Sequence, residues 1–166
     1  KAQGQTLDNS QQPITTMHYK EPDSFVRLEE HPDIRVLWGR GTIGDLGDEA
    51  RRLGGKRALL VTDSGIVEAG HAAVAQASLE TADLEVALFN KVIENPSSSC
   101  VAECAAIAKA ADIDLIVGLG GGSSMDTAKG CNFVLTNGGT MRDYWGVGKA
   151  KKPMVPLIAV PTTAGT

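Results

Sequence analysis

Residues 118 to 129 read Gly-Leu-Gly-Gly-Gly-Ser-Ser-Met-Asp-Thr-Ala-Lys and follow the run Ile113-Asp-Leu-Ile-Val117. This is a buried strand running into a glycine turn and then into a helix. Such a junction offers bare backbone N–H groups and the positive end of a helix to a phosphate. Three consecutive glycines remove every Cβ that would hold a ligand away from the backbone. The spacing is not the dinucleotide fingerprint GxGxxG, because Ser123 stands where its last glycine would be. Nor is it a Walker loop, because Lys129 lies too far from Gly122. Ser123 reads as the helix N-cap, with Asp126 at the third helical position as in a capping box. A well-capped tight turn is the plain structural alternative, but three glycines exceed what it needs. The functional reading is a pyrophosphate held by the N–H groups of Gly121, Gly122 and Ser123. Asp126 would repel phosphate; it could orient the turn or reach a ribose or nicotinamide edge, and Lys129 could pair with it one turn along.

Three further segments follow strands. Asp63 stands directly after Ala58-Leu-Leu-Val-Thr62. A carboxylate there can accept both hydroxyls of an adenosine ribose and would repel a 2′-phosphate, which argues for NAD over NADP. The alternative is a cap for the next helix. Asn95-Pro96 is a common turn pair with a weaker claim on a ligand. Pro161-Thr-Thr-Ala-Gly-Thr166 brings hydroxyls and backbone amides, or is simply a polar loop. Catalytic and metal-binding groups are not visible. His18, His31 and His71 are scattered without HxxxH spacing, there is no GxSxG, and no Asp/His cluster has metal-ligand spacing. Cys100 and Cys104 lie one helical turn apart, but buried apolar packing is the better reading for them and for Cys131.

These segments need elements to position them. Residues 1–24 are polar and read as a disordered tail; residues 25–166 read as one α/β domain. Strands are expected at 34–38, 58–62, 84–89, 114–117 and 155–160. Helices are expected at 43–53, 67–79, 97–111 and 123–135. Short connections between apolar strands predict a Rossmann-like parallel sheet with helices on both faces. Ligands of such sheets sit at the carboxyl ends of the strands, where all four segments would converge.

Composition narrows the class. The 166 residues are 42% hydrophobic, which suits a globular domain, and only 4% aromatic, which leaves no platform for stacking bases. The formal net charge of -4 without a basic run argues against nucleic acid and anionic membranes. No stretch approaches the roughly 20 apolar residues of a membrane helix, and no signal-peptide pattern is visible. Three cysteines without a framework fit a reducing cytoplasm. The start at Lys1 and the stop at Thr166 point to a piece of something longer.

Gly120-Gly-Gly-Ser-Ser-Met-Asp-Thr-Ala-Lys129 and Pro161-Thr-Thr-Ala-Gly-Thr166 resemble the two best-marked segments of the iron-containing (group III) alcohol dehydrogenases. Trp38–Gly47, Leu60–Asp63, Glu94-Asn-Pro96, Asp143-Tyr-Trp-Gly146 and Lys152-Pro153 fall in the family's order, so the likeness runs from about residue 34 to 166. It implies an N-terminal NAD(P)-binding domain, whose helical partner domain holds Fe²⁺ or another divalent metal through one Asp and three His located after Thr166. It implies that Asp63, Asn95, Gly121, Gly122, Ser123, Asp126, Thr162, Thr163 and Thr166 contact the dinucleotide, with NAD preferred. The implied reaction is hydride transfer between an alcohol or aldehyde and nicotinamide C4, with the metal as Lewis acid. A homodimer is also implied. This chain alone is expected to bind NAD without turnover. A sister enzyme of the same scaffold, such as a polyol or polyol-phosphate dehydrogenase or a dehydroquinate-synthase-like cyclase, is the close alternative. A non-catalytic nucleotide-binding module is the distant one.

Overall fold

The computed structural model describes residues 34–37 and 39–163. The expectations for residues 1–24, Trp38, Thr166, His18 and His31 lie outside the described residues. The chain divides into two units, Lys1–Leu37 and Trp38–Thr166. Of the first, residues 34–37 carry no regular secondary structure, and Ile34, Val36 and Leu37 are exposed. The strand expected at 34–38 is therefore not formed over the described residues 34–37.

The second unit alternates strand and helix. A 3₁₀ turn at Thr42–Asp45 leads into α1 (Leu46–Arg52) and then β1 (Arg57–Val61). Next come α2 (Ser64–Glu68), α3 (His71–Thr81), β2 (Glu85–Phe89), α4 (Ser98–Ala110), β3 (Leu115–Gly120) and α5 (Gly122–Asn137). A 3₁₀ turn at Met141–Tyr144 precedes β4 (Leu157–Pro161). The single helix expected over 67–79 is two helices, because Gly70 takes a left-handed φ of 82° and breaks the run.

All strands are parallel, in the order β2-β1-β3-β4. Both faces are covered, which is why β1 and β3 read as unbroken apolar runs. Ala58 and Leu60 of β1, with Leu115, Val117 and Leu119 of β3, pack under α1 and α3 on one face. Leu59 and Val61, with Phe89 and Ile116, pack under α4 and α5 on the other. The chain goes outward from β1 to β2, then crosses back over β1 to β3 and on to β4. Right-handed crossovers in opposite directions lie on opposite faces, so a crevice opens between the carboxyl ends of β1 and β3. At the far end of the same two strands, Asp114 Oδ1 accepts the N–H groups of Lys56 at 2.8 Å and Arg57 at 2.9 Å, and fixes their register.

Small residues set how closely the helices approach. Ser78 Oγ accepts the N–H of Gly47 at 3.0 Å and donates to the carbonyl of Gly44 at 2.6 Å, so α3 grips the start of α1. A Cβ on Gly47 would stand 2.1 Å from the carbonyl oxygen of Ser78. The clash is with backbone and cannot be relieved by a rotamer change. Gly47→Ala is therefore expected to destabilise the chain by about 2 kcal/mol or more. A urea midpoint equal to that of the unaltered chain would contradict this packing.

Candidate functional site

The site begins at the end of β3. Gly120 has φ 140°, in the region L side chains avoid. A Cβ there would stand 2.5 Å from Ser124 Oγ and 3.2 Å from Asp63 Oδ2. Gly121 is extended and serves as the N-cap of α5, and the helix starts at Gly122. Ser123 is therefore not the cap, and Asp126 is not in a capping box. The reason is the extra glycine, which lets the chain turn into helix earlier than a serine cap would. A glycine cap has no side chain to offer, so α5 has no side-chain cap hydrogen bond. Its first turn closes only through Ser124 N and Met125 N, which donate to the carbonyl of Gly121 at 3.1 and 3.2 Å. The N–H groups of Gly121, Gly122 and Ser123 have no acceptor among the described residues. They sit at the positive end of a 16-residue helix.

Gly122 is exposed, and among the described residues nothing outside its own helix turn lies within 4 Å of where its Cβ would be. Neither backbone conformation nor internal packing requires a glycine there. Its Cβ would instead occupy the open side of the turn, where an anion would approach. These residues therefore fit the pyrophosphate of a dinucleotide.

Asp63 faces the turn from the adjacent strand end. It is the N-cap of α2, with Oδ1 accepting the Ile66 N–H at 3.0 Å. Its other oxygen, Oδ2, accepts from Ser124 Oγ at 3.4 Å. The capping alternative is thus realised, and the same carboxylate also faces the glycine turn. On the other side of the turn, β4 is placed by buried Asn132 of α5, which exchanges two hydrogen bonds with the backbone of Val155. Thr162 N–H donates to the carbonyl of Gly120 at 2.9 Å. Thr163 Oγ1 lies 3.6 Å from the position of a Cβ on Gly121. Asp63, Gly121, Gly122, Ser123, Thr162 and Thr163 therefore share one edge.

Asp126 and Asn95 are not drawn in. Asp126 is exposed on α5, and it forms no ion pair with Lys129. Asn95 is exposed in the connection after β2, one strand beyond β1. Its φ of 50° is a left-handed conformation that asparagine tolerates, which accounts for it at that turn. The helix after it is capped by Ser97, whose Oγ accepts the Cys100 N–H at 3.3 Å. Two neighbours of the turn escaped sequence reasoning. Gly120 was legible as the first of the three glycines. Ser124 carries no local sign of being turned inward toward Asp63.

The other segments have structural roles. Asp143 closes its own 3₁₀ turn through a reciprocal capping box with Thr140, whose N–H and hydroxyl hold the carboxyl below its ordinary range. All three cysteines are free and buried between α4, α5 and the sheet. The hydrogen bond to Cys131, with burial, pushes the Cys104 thiol far above the usual range. Among the described residues, no three His, Cys, Asp or Glu side chains are grouped to hold a metal. Among them, too, no helix is long and apolar enough to cross a membrane.

Known proteins share this arrangement. The family model for iron-containing alcohol dehydrogenases matches residues 33–166. The NAD-dependent methanol dehydrogenase of Bacillus methanolicus is 40% identical over 135 residues, covering 81% of this chain and 35% of that protein. The lactaldehyde reductase of Escherichia coli strain K12 is 36% identical over 131 residues, covering 78% of this chain and 34% of the relative. The alcohol dehydrogenase from Oenococcus oeni superposes with a TM-score of 0.74 at 36% identity, over 78% of this chain and 34% of its own. The chain thus spans about a third of the length of the curated relatives it matches.

The two glycines of the turn should separate in stability. Gly120→Ala meets both the left-handed φ and the Ser124 hydroxyl, and is expected to destabilise by about 2 kcal/mol. Gly122→Ala puts a better helix former in open space at the first helical position. It is expected to be neutral or to stabilise by up to about 1 kcal/mol. Urea unfolding followed by circular dichroism checks both, and equal losses would refute the geometry described for the turn.

Proposed function

The chain belongs to the iron-containing alcohol dehydrogenases, and from that premise we propose that it forms the dinucleotide-binding half of an NAD-dependent enzyme interconverting an alcohol and an aldehyde. One observation carries the reading: a helix start without a side-chain cap, whose first three N–H groups have no acceptor among the described residues, stands across the strand crevice from a carboxylate.

The roles follow from charge and hydrogen bonding. Gly121, Gly122 and Ser123 donate their N–H groups to the pyrophosphate, and the α5 dipole favours its charge. Thr162 and Thr163 close the turn from the β4 side, and Thr166 continues that segment. Asp63 accepts the adenosine ribose hydroxyls with the lone pairs left over from Ile66 and Ser124. The same negative charge disfavours the 2′-phosphate of NADP. Asp126 and Asn95, which the resemblance also assigns to the dinucleotide, are exposed and make no side-chain hydrogen bond to the turn. When bound, the nicotinamide supplies the hydride acceptor at C4. This chain's part is to orient it and to hold the dinucleotide against the crevice.

The described residues hold no group of side chains that fits a metal. In our reading the complete protein carries the divalent metal on residues beyond this chain. The relatives named above act on different small molecules by their names, a methanol dehydrogenase and a lactaldehyde reductase. The substrate class we assign is correspondingly a small alcohol or aldehyde. A cytoplasmic homodimer without nucleic-acid or membrane partners completes the proposal.

Calorimetric titration of the 166-residue chain tests it. NADH is expected to bind, and more tightly than NADPH. Gly122→Ala should weaken NADH binding about tenfold without lowering stability, as expected when hydrogen bonds to a charged group are lost. Asp63→Gly should bring the NADH and NADPH affinities together, since glycine keeps an acceptable helix cap to within a few tenths of a kcal/mol. A Gly122→Ala variant that binds NADH as the unaltered chain does would rule out the turn as the pyrophosphate site.

A further inference from the structure

We propose that Ser124 is a positioning residue for cofactor choice: it holds the Asp63 carboxylate in place across the crevice, so that NAD is admitted and a 2′-phosphate is not. The inference rests on the dinucleotide reading above and deepens it. Negative charge alone gives only part of that discrimination. A carboxylate free to rotate could swing away from a 2′-phosphate and let solvent or a cation screen it. A restrained carboxylate cannot.

The restraint is visible in the contacts. Ser124 is fully buried although its side chain is polar. Its hydroxyl has one side-chain partner, Asp63 Oδ2 at 3.4 Å, sixty-one residues earlier in the chain. The opposite oxygen, Oδ1, is held by the Ile66 N–H at 3.0 Å. With one donor on each oxygen, the plane of the carboxylate is set by two different elements, α2 and α5. The space Ser124 uses exists only because Gly120 has no side chain, since a Cβ there would press on both Ser124 Oγ and Asp63 Oδ2. Gly120, Asp63 and Ser124 therefore form one packed unit that joins the ends of β1 and β3. The ribose carboxylate and the pyrophosphate turn are set relative to each other by this contact, rather than only by the sheet beneath them. Ser123, its neighbour in sequence, is only partly buried and makes no such link.

The test is the ratio of NADH to NADPH affinity, measured by calorimetric titration of the 166-residue chain. In Ser124→Ala the ratio is expected to fall about fivefold, mostly through weaker NADH binding, as expected for losing one hydrogen bond to a charged group. Ser124→Cys keeps the site filled, with a somewhat larger sulfur in place of the hydroxyl oxygen and only a weak donor, and should behave like Ser124→Ala. It decides the matter if the alanine variant lowers the urea midpoint. In an Asp63→Gly background, Ser124→Ala should leave the ratio unchanged, because the group it acts through is gone. A parallel loss for both cofactors would overturn the proposal, and so would an unchanged ratio or equal effects with and without Asp63. If the unaltered chain bound no NADH at millimolar concentration, the dinucleotide reading itself would fall and this inference with it. NADH binding with an unchanged ratio would remove only the role of Ser124.

Discussion

The start of α5 holds more hydrogen-bond donors than the described residues satisfy, and the surrounding structure is arranged to keep them in that state. Helix ends ordinarily recruit a serine, threonine or aspartate side chain. Here the capping position is a glycine, and the nearest hydroxyl, that of Ser124, is turned inward to Asp63. Three N–H groups are left facing outward at the positive end of a long dipole. An uncapped helix start is a local weakness, and it persists because everything beneath it is tightly fixed.

That fixing comes from the sheet and from small residues. β1 and β3 are sealed on both faces, and Asp114 pins their amino ends. The strands leave the core at a reversal of chain direction, which separates the following connections and opens the crevice. Gly47 against Ser78 shows the same use of small side chains on the outer layer, where α1 and α3 meet at backbone contact. A chain with 19 glycines and few aromatics can bring its backbones this close. The low aromatic content is thus the mark of a layered packing in which backbone, rather than side chain, is presented at the rim.

How much of this was legible depended on how local the cause was. The sheet, its parallel sense and the glycine turn follow from short-range patterns, and they are found where the sequence puts them. The break at Gly70 was also local, but an alanine-rich run on both sides of it reads as one continuous helix. The choice between Ser123 and Ser124 could not be made from spacing. Which serine turns inward depends on where the helix starts, and that depends on Gly120 and on a carboxylate sixty residues away. The strand expected at residues 34–37 illustrates the opposite case. Its apolar residues read as a strand, but local pattern alone does not make one, and the described residues there carry no regular structure. Asn95 reads as a ligand candidate by resemblance, and the structure adds a backbone reason for it, a left-handed turn.

The three cysteines have a practical consequence. They are the chain's full complement of thiols; all are buried, and Cys104, fully enclosed, is held protonated by its neighbour Cys131. Thiolate, not thiol, is what reacts. Toward thiol-selective reagents the folded chain therefore offers no exposed cysteine. A single cysteine engineered onto the exposed rim would be the one accessible thiol in the molecule. The native fold can thus carry a site-selective label without first removing its own cysteines.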